Sequence, residues 1–187
     1  MEVTTQTFED DVVGRSHELP VVVDFWADWC GPCKTLGPVL EREAAAREGS
    51  VVLAKVDVDA NPELSQRYGI RGIPTVKAFR NGHVVSEFVG AQSPQAVAAF
   101  LDALLAPSEA AILLDTLREQ GELPEVVAAL DSGDTERALA EILERIPEAE
   151  PALRELLRRL AVALFGDLGP EHPLSVTYRR ALATALY

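Results

Sequence analysis

An α/β chain with a mixed sheet, followed by an all-helical segment, is the fold class that three observations predict for this sequence of 187 residues. Runs rich in β-branched residues, at 20–27, 50–59 and 76–80, alternate with stretches of helical spacing, and that alternation demands parallel crossovers. Asn81-Gly82 between two such runs is the strongest short hairpin signal and adds an antiparallel pair. Beyond Ala106-Pro107-Ser108-Glu109 no β-like run occurs, and apolar residues recur only at helical spacing. The expected order is β-α-β-α-β-α-β-β-α over residues 1–106, with an all-helical domain over residues 107–187.

Taken in order, Val3-Thr4 opens a short strand, and residues 7–13 read as a helix, with Thr7 and Asp10 matching a capping pattern. Residues 20–27 are the central strand, because three consecutive valines and Phe25 suit a pleat packed on both faces. Gly31-Pro32 turns the chain into a helix, and a proline in its first turn forfeits no hydrogen bond. Leu36, Val39, Leu40 and Ala44 line the inner face of that helix, which Pro38 kinks at the cost of a hydrogen bond. Residues 50–59 form the next strand, and residues 61–68 a helix capped by Asn61 with Pro62 at its first position. Gly72-Ile73-Pro74-Thr75-Val76 enters the following strand, and sequence alone leaves the Ile73–Pro74 bond open to cis or trans. Ser93 caps the last helix of this half, with Val97, Phe100, Leu101, Leu104 and Leu105 inward.

In the second half, Ala110, Leu113, Leu114 and Leu117 form a stripe closed by Gly121. A helix over 124–130 is stopped by Gly133, and Asp134 caps a third bearing Ala138, Leu139, Ile142, Leu143 and Ile146. Leu153, Leu156, Leu157, Leu160, Ala161 and Leu164 line a fourth, expected to end at Gly166 and Gly169. Leu174, Tyr178, Ala181, Leu182, Ala185 and Leu186 line a fifth over 173–187. Amphipathic helices joined by short turns must stack to bury their stripes.

The net charge of −13 is spread over both halves: residues 1–106 carry 9 basic and 15 acidic side chains, residues 107–187 carry 8 and 15. Neither offers the clustered Lys and Arg that nucleic acid or anionic lipid requires. No apolar run approaches the roughly 18 residues of a membrane helix, so no membrane partner is expected. The first twenty residues hold Glu2, Glu9, Asp10, Asp11 and Glu18 and no apolar signal core. Both cysteines sit in one C-x-x-C, as suits a reducing cytosol, where such a pair is catalytic rather than a staple.

Cys30 falls where a strand ends and a helix begins, so unpaired N–H groups and the helix dipole there favour its thiolate. Zinc is the alternative use of two thiols, but only the scattered His17, His83 and His172 remain as companions, and no metal is expected. Asp24 is the odd residue of an apolar strand. It faces either a solvated edge, or a buried site in which its pKa rises and it serves as a proton acceptor. Lys55 in the neighbouring strand is its expected ion partner, or else a snorkelling surface lysine. Trp26 and Trp29 are expected to pack first, with Trp29 also shaping the site, and the three histidines to lie at the surface.

Phe25-Trp26-Ala27-Asp28-Trp29-Cys30-Gly31-Pro32-Cys33-Lys34 resembles the active-site signature of the thioredoxin family almost residue for residue. The proline at position 38 also matches that family. The resemblance implies a thioredoxin fold and reduction of protein disulfides without a cofactor other than the dithiol itself. In it Cys30 attacks, Cys33 resolves the mixed disulfide, and Asp24 takes and returns the proton of Cys33. Trp29, Gly31 and Pro32 shape the site, while Ile73, Pro74 (in a cis bond facing the cysteines) and Gly90 form the groove for an extended polypeptide. A thioredoxin reductase or another dithiol is the implied reductant.

The segment Gly133-Asp134-Thr135-Glu136-Arg137-Ala138 is similar to the second half of a tetratricopeptide repeat, although no 34-residue period is visible. Leu164-Phe165-Gly166-Asp167-Leu168-Gly169-Pro170-Glu171-His172-Pro173-Leu174 and Tyr178-Arg179-Arg180-Ala181-Leu182 resemble the helical domain of the chaperedoxins. Those are cytoplasmic thioredoxin-domain proteins with a tetratricopeptide-like tail that hold unfolded clients. The resemblance implies unfolded or disulfide-containing proteins, and a chaperonin, as partners. Longer members carry more repeats, and this chain has room for about one, which argues against a broad stacked groove. Two other readings stand beside it: an ordinary thioredoxin with a stabilising helical extension, and a redox-silent adaptor.

Overall fold

The computed structural model describes residues 1–185, and the chain divides into two compact units, Met1–Ala106 and Pro107–Tyr187. In the first, four strands form one sheet in the order β2-β1-β3-β4. They are β1 (Val21–Trp26), β2 (Val52–Asp57), β3 (Thr75–Arg80) and β4 (His83–Val89). β1 pairs parallel with β2 and antiparallel with β3, and β4 closes a hairpin on β3. Between strands run α1 (Gly31–Ala45) and α2 (Pro62–Arg67), and α3 (Pro94–Leu105) follows β4.

Period-two alternation in β1 feeds two cores. Val21, Val23 and Phe25 join Phe8, Val12, Ala54, Val56, Leu64 and Phe79 on one face. Val22 joins Leu36 and Leu40 of α1, Val76 and Ala78 of β3, and Val97 and Leu101 of α3 on the other. With both faces covered, each large apolar side chain contributes about 2–3 kcal/mol. The β3–β4 turn has φ of 52° at Asn81 and 82° at Gly82, the left-handed pair that matches strand twist. Ser16 clasps that turn: its carbonyl accepts from Asn81 N–H and its Oγ from Gly82 N–H, both at 2.8 Å.

The N-terminal segment departs from expectation. Instead of a fifth strand it makes a single parallel bridge, Glu2 to Lys55, before Phe8 N–H bonds back to the Thr4 carbonyl and begins a turn. Residues Glu9–Gly14 are wound as a π-helix rather than an α-helix, and Thr7 caps nothing: its hydroxyl accepts from Thr4 N–H. Asn61 does not cap α2 through its side chain either. Its Oδ1 accepts from the N–H and hydroxyl of Thr5, at 2.8 and 3.2 Å, and so ties the chain start to the sheet.

The second unit holds α4 (Glu109–Gln120), α5 (Pro124–Asp131), α6 (Thr135–Arg145), α7 (Pro151–Leu168) and α8 (Pro173–Ala185) around one core. Ser108 caps α4 and Asp134 caps α6, each accepting an N–H three residues on. Leu117, Val126, Leu139, Ile142, Leu157, Leu160 and Phe165 are fully enclosed. Gly121 ends α4 in the left-handed conformation (φ 68°), where only glycine is unstrained. Gly166 does not end α7: the helix runs through it to Leu168 and stops at Gly169, because buried Leu164 and Phe165 hold that turn against the core. Along α8, Leu182 is buried, while Leu174, Tyr178 and Ala185 pack on the core and Val176 is 56% exposed. A groove of about 610 Å³ lies along α8, lined by Leu143, Val176, Arg180, Ala181 and their neighbours. The expected contributions of Leu186 and Tyr187 lie outside the described residues. Among the described residues no single helix is long and apolar enough to cross a membrane.

Candidate active site

The site grows from the end of β1. After Trp26 the chain turns through Asp28, and Cys30 N–H closes the turn on the Ala27 carbonyl at 3.1 Å. Cys30 is then the N-cap of α1: its backbone is extended (φ −79°, ψ 103°) and its Sγ accepts the N–H of Cys33 at 3.2 Å. A sulfur takes here the place that a Ser or Asp oxygen usually fills. The N–H group and the dipole behind it stabilise negative charge on Cys30 once the bond to its partner is opened. Pro32 stands in the first turn, and Gly31 is exposed with nothing within 4 Å of where a Cβ would sit.

Cys30 and Cys33 are joined as a disulfide, S–S 2.02 Å. They are 3% and 4% exposed, so burial does not separate attacker from resolver in this oxidised state, whereas position at the helix start does. Ile73–Pro74 is cis, Pro74 is buried, and Gly90 N–H donates to the Pro74 carbonyl at 2.8 Å, which joins these three groove residues.

Trp29 corrects the expectation of packing. It is 70% exposed, held outside by its indole N–H, which donates to Asp59 Oδ2 at 2.8 Å. With Ile73 it borders a groove of about 300 Å³ lined also by Val58, Pro62, Ser65, Ile70 and Gly72. Asp59 and the α2 side of this groove went unread in the sequence. An acid thirty residues beyond a tryptophan carries no local signal, and only the β2–α2 turn brings it near.

Asp24 lies in the middle of β1, 2% exposed, which excludes the solvated edge. Burial pushes its pKa up to about 6; the Lys55 ammonium opposes this, and the carboxylates of Glu2 and Glu41 add to it. Lys55 is its register neighbour on β2, yet the expected ion pair is not formed. The ammonium instead donates to Glu41 Oε1 on α1 at 3.0 Å and stands 5.3 Å from the centre of the Trp26 ring. Asp24 Oδ1 has no hydrogen-bond partner among the described residues. His17 and His172 are exposed, while His83 is half-buried at the hairpin and so departs from the surface placement expected of all three.

This arrangement (a dithiol at a helix start, a proline-lined groove, an acid with a raised pKa beneath the helix) is suited to exchanging disulfides with a polypeptide. Comparison with known proteins agrees. Residues 1–103 match the thioredoxin family, and residues 125–187 match a tetratricopeptide repeat family. Thioredoxin of Pseudomonas aeruginosa is 45% identical over 103 residues, covering 55% of this chain and 94% of that protein. Thioredoxin of Allochromatium vinosum is 48% identical over 102 residues, covering 54% and 94%. Mitochondrial thioredoxin of Bos taurus is 50% identical over 98 residues, covering 52% of this chain and 58% of that one. The Cys30–Cys33 pair is the redox centre of a thiol–disulfide oxidoreductase with a tetratricopeptide-like helical region, and the chain belongs to the thioredoxin family.

Proposed function

We propose that the chain reduces protein disulfides in the cytoplasm and that residues 107–187 hold unfolded clients, in the manner of a chaperedoxin. The observation that carries the redox half is the seat of Cys30 at the N-cap of α1, its Sγ facing the Cys33 N–H. In the reduced protein the Cys30 thiolate attacks one sulfur of a substrate disulfide. A Cys30–substrate S–S bond forms, and the other substrate sulfur leaves as a thiolate. Cys33 then gives its proton to the Asp24 carboxylate and attacks Cys30 Sγ; the Cys30–Cys33 disulfide forms and the substrate leaves fully reduced. Two electrons from an external dithiol, such as a thioredoxin reductase supplies, restore the pair. No cofactor beyond the dithiol takes part. The groove beside Trp29, Ile73, Pro74 and Gly90 receives an extended stretch of the client, with Gly31 and Pro32 leaving the approach to Cys30 open.

The holdase half is supported by the groove along α8, where Val176 leaves apolar surface that the unit's own core does not use. A chaperonin is a second candidate partner for that surface. An ordinary thioredoxin with a stabilising extension is the competing reading. Its support is α8 itself, whose Leu182, Leu174 and Tyr178 are spent on the core.

Two variants test the redox assignment. Cys30→Ser should abolish insulin reduction. Cys33→Ser should accumulate mixed disulfides with clients, visible on non-reducing gels, since the attacking sulfur survives and the resolving one is gone. Normal turnover by Cys33→Ser would remove the assignment.

A further inference from the structure

We propose that Glu41 is a positioning residue: by holding the Lys55 ammonium against α1 it withholds that cation from Asp24 and so sets the carboxylate's proton affinity. The parallel register places Asp24 and Lys55 opposite one another, and residues so paired project to the same face of the sheet. A buried carboxylate beside an ammonium ordinarily takes it as partner, since an unpaired charge away from water is costly. Here the ammonium donates instead to Glu41 Oε1 at 3.0 Å, and Asp24 Oδ1 is left without a hydrogen bond among the described residues.

The clasp is placed to be exchangeable. The Glu41 side chain is 55% exposed and that of Lys55 is 24% exposed, so water competes for both partners. Gly37 lies one turn before Glu41 on the same side of α1. A Cβ there would stand in ordinary contact with Nζ, at 4.0 Å, so this face of α1 borders the ammonium. The charged groups facing Asp24 are few. Lys55 comes from β2, Glu41 from α1 and Glu2 from the bridge at the chain start, while β3 presents Val76. Removing the Glu41 charge therefore acts twice in one direction: its own repulsion of the Asp24 carboxylate goes, and Lys55 is freed to approach it.

The inference rests on the proposed proton role of Asp24 only for its effect on rate, so two readouts are needed. In the oxidised full-length protein, where neither cysteine titrates, the Asp24 carboxyl is followed by carbon-13 NMR against pH. Its midpoint in the unmodified chain should lie at about 6. Glu41→Gln should lower it by about one pH unit. In a Lys55→Met background the same substitution should move it by less than half as much, because the released cation is no longer there. An unchanged midpoint in Glu41→Gln, or an equal fall in both backgrounds, would overturn the proposal. The second readout is the pH profile of mixed-disulfide resolution, which should shift with the midpoint. If the midpoint moves and the profile stays, the Glu41 clasp stands and the proton role of Asp24 falls.

Discussion

Asp24 has its raised pKa because β1 is covered on both faces, and a raised pKa is a statement about stability. The carboxyl titrates near 3.8 in the unfolded chain and at about 6 in the fold, so the folded state binds the proton more tightly. Stability from that preference is fully present below pH 4 and is lost as pH rises through about 6. The full difference amounts to about 3 kcal/mol. Asp24→Asn keeps the shape and removes the charge. Against the unmodified protein it should show little advantage below pH 4, a growing one between pH 4 and 6, and about 2–3 kcal/mol above that. Urea midpoints across pH measure this, alongside a slowed resolving step. A pH-independent loss of stability with an unchanged rate would make Asp24 a structural residue only.

At the scale of elements, the parts legible in the sequence are those whose chemistry is local. Cys30 at a strand-to-helix turn, Pro32 in a first turn and Asn81-Gly82 in a hairpin each carry their reason within a few residues. What was not legible depends on neighbours far along the chain. Lys55 chose Glu41 over Asp24 because α1 lies over β2 at that point. Trp29 stays outside because Asp59 holds its indole N–H, against the burial its size suggests. The helix through Gly166 tolerates a residue costing about 1 kcal/mol, since burial of Leu164 and Phe165 outweighs it. The hairpin offers the sharpest element-scale test. At Gly82 φ is 82°, and a Cβ would stand 3.0 Å from His17 Nε2. Gly82→Ala should therefore cost about 1–2 kcal/mol by urea denaturation. Disulfide reduction should be unaffected at pH 7, because the turn lies outside the groove. A neutral substitution would mean that the turn relaxes.

For the whole molecule, the decisive fact is that the cores do not share residues. Every member of the two clusters around the sheet lies before Ala106, and every member of the helical cluster lies after it. The thioredoxin family match covers residues 1–103, all within the first unit. A chain cut after Ala106 should therefore fold, retain insulin reduction at the rate of the full chain, and keep its own urea midpoint. The released segment carries 15 acidic side chains against 8 basic, and the first unit keeps 15 against 9, so the cut protein still holds a net charge of −6. Under the proposed holdase role, the cut protein should lose suppression of client aggregation, measured beside reduction in the same preparation. Val176→Asp in the full chain gives a milder version of the same test. It places a carboxylate on the exposed side of α8, where it spoils an apolar contact without entering the core. Loss of suppression in both, with reduction intact in both, assigns client holding to residues 107–187. Suppression unchanged by the cut would assign those helices to stabilisation of the chain and nothing more.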